Sequence, residues 1–177
     1  MFRGDRIKLL LLASLFAAPA LAALFVHQIW TPTPATSYGE LLQPAVPQLD
    51  GLRDSVGQPA DLAALHGRWI LLTVVNGECG AACKAELDLA RRVRLAQGRE
   101  QGRVIQALIQ SGAVMPDALP DLFRYRVPEA ALAHWPDPLR TYVVDPLGRV
   151  MLRFPVAVEG QGMLRDLRQL LKASKIG

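Results

Sequence analysis

The chain has 177 residues, 51% of them hydrophobic, and behind an apolar N-terminal stretch there is room for one domain that can bury a core without disulfide staples. Its formal charge of +4 is concentrated at the N-terminus: setting aside Arg3, Arg6, Lys8 and Asp5 from totals of 20 basic and 16 acidic residues leaves 17 against 15. That balance, with no nucleic-acid-binding signature around the arginines, excludes a protein that holds nucleic acid by bulk positive charge.

Leu9 to Val26 is 18 residues without a charge, and His27-Gln28-Ile29-Trp30 prolongs it to an aromatic end. As a helix this stretch spans about 30 Å of hydrocarbon. The basic flank keeps the N-terminus in the cytoplasm and sets Trp30 at the far interface. Residues 1–30 are therefore read as a cytoplasmic tip and a single-pass anchor in the inner (cytoplasmic) membrane, with the C-terminal domain on the exported, periplasmic side. Ala20-Leu21-Ala22 has the small-x-small form of a signal-peptidase site, so a cleaved signal peptide is the alternative. Apolar character continuing through Leu24-Phe25-Val26 favours the anchor. Both readings export the domain to an oxidising compartment.

Residues 31–50 carry Pro32, Pro34, Pro44 and Pro47 and are read as an extended spacer, with Tyr38 to Leu42 apolar enough to pack on the domain. The domain itself is assigned to residues 51–177. Asp50 to Asp54 forms a hairpin-like lead-in, and Asp61 to Leu65 a short helical turn. Arg68 to Val75, an apolar and β-branched run closed by Asn76-Gly77, predicts a strand buried on both faces. A helix follows from Ala82 to Gln97, with Ala85, Leu89, Val93 and Ala96 on one face, Leu87 and Ala90 beside it, and a stop at Gly98. Arg91, Arg92, Arg94 and Arg99 ring its distal end as a solvated basic face. Val104 to Ile109 is a second strand, parallel to the first because it returns after one helix. Ser111 to Pro138 yields only a helical piece near Glu129 to His134. Thr141 to Val144 and Val150 to Phe154 flank Asp145-Pro146-Leu147-Gly148, a tight hairpin turn. Met163 to Leu171 has helical spacing and covers the sheet. This order, with two cysteines where the first strand meets its helix, is the thioredoxin-like α/β plan: a central mixed sheet flanked by helices.

Cys79 and Cys83 are the only cysteines. At a helix mouth, unpaired N–H groups and the positive end of the dipole favour thiolate and lower a free thiol from its usual pKa of about 8.5. The bland alternative is a structural disulfide, although so short a loop gains little entropic stabilisation.

On these residues the chain resembles the thioredoxin-like superfamily and, within it, the Sco (SenC/PrrC) family of cytochrome oxidase assembly proteins. Gly67-Arg68-Trp69-Ile70-Leu71-Leu72 is similar to that family's Gly-Lys-Trp-apolar strand, Cys79 to Cys83 to its CxxxC, and Tyr142-Val143-Val144-Asp145-Pro146-Leu147-Gly148 to its hairpin. The single anchor with an exported domain matches as well, and the likeness covers Gly51 to Gly177. The resemblance implies copper bound by Cys79, Cys83 and a distant histidine, with His134 the candidate, and delivery of that copper during cytochrome c oxidase assembly. A terminal oxidase subunit or a copper chaperone is the implied partner. Soft sulfur selects copper, and a third ligand helps set the geometry. Where the family has prolines in and after the CxxxC, this chain has Gly80-Ala81-Ala82 and Lys84. The alternative needs no metal: an exported thiol-disulfide oxidoreductase in which Cys79 attacks a client disulfide and Cys83 resolves the mixed disulfide. In a third reading the cysteines are a clasp in an interaction module.

Overall fold

The structure, a computed structural model, describes residues 12, 14, 16–19, 21, 25, 37–114, 119–133, 135, 137, 139–156, 159–174 and 176. Two compact units divide the chain, Met1–Thr36 and Ser37–Gly177. In the first, every described residue has helical backbone and is exposed. No helix among the described residues is long and apolar enough to cross a membrane, and most of the predicted anchor lies outside them.

The second unit is built on one seven-stranded sheet. Its strands are β1 (Glu40–Ala45), β2 (Arg53–Asp54), β3 (Trp69–Val75), β4 (Val104–Gln110), β5 (Leu122–Arg126), β6 (Leu139–Val144) and β7 (Val150–Phe154), with helices α1 (Ala81–Leu95) and α2 (Gly160–Ala173). The spatial order is β1-β7-β6-β3-β4-β5-β2. Central β3 runs parallel to β4 and antiparallel to β6, Trp69 facing Val104 and Ile70 facing Val144. All seven residues of β3 are buried, as its unbroken apolar run predicts.

Alternation along the strands divides the core in two. Ile70, Leu72 and Val74 join Ile105, Ala107, Ile109, Tyr142 and Val144 beneath Leu52, Leu65 and Leu132. Trp69 and Leu71 join Val104, Val143, Leu152 and Phe154 beneath Ala90 and Val93 of α1 and Met163, Leu167 and Leu171 of α2. The predicted hairpin joins β6 to β7: Asp145 Oδ1 accepts the amides of Leu147 and Arg149, each at 2.9 Å, and Gly148 takes a φ of +83° that the turn reserves for glycine.

Three elements differ from the sequence reading. Glu40–Ala45, in the stretch read as a spacer, is an edge strand antiparallel to β7. Its ladder slips between Leu41 and Ala45, where Pro44 has no N–H to donate, and an edge tolerates that loss. Tyr38 does pack on the domain, against Gly162 of α2, and Asp166 Oδ2 accepts the Gly39 amide at 2.8 Å and the Ser37 hydroxyl at 3.1 Å. Within Ser111 to Pro138 lies β5, parallel to β4 and unrecognised because Arg124 and Arg126 interrupt its apolar pattern. The buried face of α1 is Cys83, Glu86, Leu87, Ala90 and Val93, whereas Ala85 and Ala96 are exposed. The face is turned because Cys83 must point inward to reach Cys79.

Candidate functional site

β3 ends at Val75, and Asn76 to Gly80 carry the chain into α1. Gly77 adopts a φ of +106°, a conformation that side-chain-bearing residues rarely take. The end of β4 backs this turn. The Ser111 amide donates to Val75 O at 3.3 Å and the Gly112 amide to Gly77 O at 2.8 Å. The Ser111 hydroxyl accepts the Gly77 amide at 2.6 Å and donates to Asn76 Oδ1 at 2.8 Å. A Cβ at Gly112 would stand 2.6 Å from Glu78 Cγ and 2.7 Å from Glu78 Cα and N, so only glycine lets the two segments meet so closely.

Gly80 occupies the N-cap of α1 without a side-chain hydrogen bond, and the first turn holds no acidic residue. The positive end of the helix is thus left to act on whatever sulfur lies there. Cys79 and Cys83 are joined in a disulfide with Cα atoms 5.1 Å apart, a separation suited to a bridge. Val75, Leu87 and Leu108 enclose it, with Leu122 and Leu139 alongside. Both cysteines are buried, Cys79 at 8% exposed and Cys83 at 2%, so Cys79 is the less enclosed residue of the two.

Of the predicted site residues, the structure brings Cys79 and Cys83 together. His134 lies outside the described residues; the segment carrying it leads into β6, whose first residue, Leu139, packs on the cysteine cluster. His66 is elsewhere, its imidazole set against Gly148 in the β6–β7 turn. Among the described residues no group of three or more His, Cys, Asp or Glu could hold a metal ion. As a donor set, the reduced pair presents two soft sulfurs one helical turn apart, which suits Cu(I).

Beside the start of β6, Arg140 Nη2 donates to Asp137 Oδ1 at 3.0 Å, and this hydrogen bond holds the Asp137 carboxyl below the ordinary carboxylate range. Arg153 bridges Asp137 and Glu40 at 3.2 and 2.5 Å. Beneath them, burial pushes the Tyr142 phenol above its ordinary pKa.

Sequence reasoning missed Ser111 and Gly112 as parts of the site. Their signal was two small residues directly after the second strand, a place where one backbone can approach another closely.

The family model described as "Transmembrane-like, thioredoxin-like, C-terminal domain" matches residues 69–174. A search of the curated proteins gives no match. Among solved structures, yeast Sco1 is similar at 15% identity and a TM-score of 0.59, over 76% of this chain and 96% of that one. BsSco, described as a Sco-family cytochrome c oxidase assembly protein with a disulfide switch, is 12% identical with a TM-score of 0.52, over 77% and 96%. A DsbF homologue from Corynebacterium diphtheriae is 17% identical with a TM-score of 0.51, over 77% and 96%. At these identities the likeness is one of fold, and that fold is the thioredoxin-like one expected from the sequence.

Proposed function

This chain belongs to the family of transmembrane-like, thioredoxin-like C-terminal domains, and we propose that its Cys79–Cys83 pair is a redox-active dithiol that exchanges with the cysteines of an exported client protein. One observation carries this: the two sulfurs are bonded across the mouth of α1, with Cys79 the more accessible. In the reducing direction the Cys79 thiolate attacks one sulfur of the client disulfide and expels the other as thiolate. Cys83 then attacks Cys79 Sγ, expelling the client's second thiolate. The client leaves as a dithiol and the chain as the disulfide described above, which an external dithiol donor must reduce again. Support for a membrane-anchored, periplasmic setting comes from the uncharged stretch Leu9 to Val26 and its basic flank.

The spacing of the cysteines favours a second reading. Three residues separate them, as in the Sco CxxxC, and yeast Sco1 has been solved with copper bound. Here the dithiol form would hold Cu(I) through Cys79 and Cys83, with His134 as third ligand, for delivery to a terminal oxidase during its assembly. Copper on this reading is cargo.

Two measurements on the full chain separate the readings: thiol exchange in glutathione buffers, and Cu(I) competition titration of the reduced protein. The titration includes Cys79→Ser, Cys83→Ser and His134→Ala. Tight one-to-one binding, abolished by either cysteine change and weakened by His134→Ala, supports copper delivery. Exchange with glutathione, without copper binding beyond a cysteine-free control, supports the thiol reading alone. Neither property would leave the pair as a structural clasp and overturn both.

A further inference from the structure

We propose that Ser111 is a positioning residue for the cysteine pair: its hydroxyl fixes the turn that carries Cys79, holds the two sulfurs within bonding reach, and so makes the disulfide harder to reduce. The inference rests on the redox reading above and assigns a determinant of the pair's equilibrium outside the CxxxC itself.

The two sulfurs belong to elements that are held independently. Cys83 sits in the first turn of α1, which is fixed to the sheet through Leu87, Ala90 and Val93. Cys79 precedes the N-cap and takes its position from the turn. Both backbone groups of Gly77 are tied to the end of β4: its N–H to Ser111 Oγ at 2.6 Å, its C=O to the Gly112 amide at 2.8 Å. The same hydroxyl spends its proton on Asn76 Oδ1 at 2.8 Å. Ser111 therefore bonds two consecutive residues of the turn, and Cys79 follows two positions later.

Holding two reacting groups near their bonded geometry raises their effective concentration and favours the bond between them. Coupling of this kind is reciprocal. If the clasp favours the disulfide, closing the disulfide must tighten the clasp. Removing the hydroxyl leaves the Gly112 bond but frees the Gly77 amide and the Asn76 side chain.

The test equilibrates the full chain in glutathione buffers of graded ratio and reads the oxidised fraction by thiol alkylation. A single neutral hydrogen bond sets the scale: Ser111→Ala should lower the equilibrium constant for disulfide formation about fivefold, or about 20 mV for a two-electron couple. Ser111→Thr, which keeps the hydroxyl, should stay close to wild type. Asp166→Ala loosens a different seam and should leave the constant unchanged, separating positioning from general destabilisation. In the wild-type protein, reduction of the pair should speed hydrogen exchange at the Gly77 amide. That measurement stands even where a variant fails to fold. A Ser111→Ala constant equal to that of wild type, or Gly77 exchange indifferent to reduction, would overturn the positioning role. A wild-type pair that never exchanges with glutathione would instead overturn the redox reading beneath it.

Discussion

Replacing Gly112 by alanine puts a methyl carbon 2.6 Å from Glu78 Cγ and 2.7 Å from Glu78 Cα and N. Ordinary contact for a Cβ starts at 3.4 Å, so the turn and the strand end must separate by about 0.7 Å. A rotamer change in Glu78 cannot relieve this, because two of the three obstructing atoms are backbone. Retreat of the turn is also resisted, since the next residue is Cys79 and its sulfur is bonded to Cys83. Gly112 is not among the glycines with positive φ, so a left-handed backbone adds nothing to the clash. Overpacking of this kind costs about 1–3 kcal/mol. Urea unfolding of the full chain, followed by tryptophan fluorescence, measures it, and the loss should shrink when the disulfide is reduced and Cys79 can give way. Gly102→Ala is the control: nothing lies within 4 Å of its Cβ position and its φ is not positive. An alanine at 112 that unfolds at the same urea concentration as wild type would show that the turn and β4 do not meet as described.

Asp166→Ala leaves the buried Gly39 amide without its acceptor, a loss of about 1–3 kcal/mol. Hydrogen exchange at Gly39 should quicken as β1 loosens, and unchanged protection would refute the seam. Burial, with Asp54 beside Tyr125 and Asp137 beside Tyr142, raises both phenols above the ordinary 10.0. Since the folded pKa is raised, the stabilisation is whole below pH 10 and fades as pH climbs through the folded values. An absorbance titration should therefore show Tyr125 and Tyr142 ionising above pH 10, coincident with weakening of the fold. Phenols that all titrate at 10 would refute it.

Where the fold was legible, one local signal sufficed. Trp69 to Val75 reads as a doubly buried strand because every residue is apolar or β-branched, and Asp145 to Gly148 reads as a turn because proline and glycine leave few alternatives. β1 stayed hidden because Pro44 and Pro47 give its segment the composition of a linker. What makes it a strand is pairing with β7, more than a hundred residues away, and no local pattern encodes that. β5 was obscured in the same way, its place fixed by parallel pairing with β4. At the site the cysteines were plain and their clasp was not. Ser111 and Gly112 gain meaning only once two parallel strands end side by side, bringing the residues after one against the residues after the other.

The rotation of α1 bears on how the cysteines should be tested. The face expected from Ala85, Leu89, Val93 and Ala96, with Leu87 and Ala90 beside it, does not include Cys83. In the structure Cys83 is 2% exposed among Val75, Leu87 and Leu108, an apolar surround in which a hydroxyl without a partner costs about 1–3 kcal/mol. Cys79, at 8% and on the turn, has more access to solvent. Cys83→Ser should therefore be less stable than Cys83→Ala, and less stable than Cys79→Ser, when unfolding of all three is compared with reduced wild type. Chemistry lost in Cys83→Ser but retained in Cys83→Ala would belong to packing; lost in both, it belongs to the sulfur. Equal stability of the serine and alanine variants would mean that the Cys83 side chain is not enclosed.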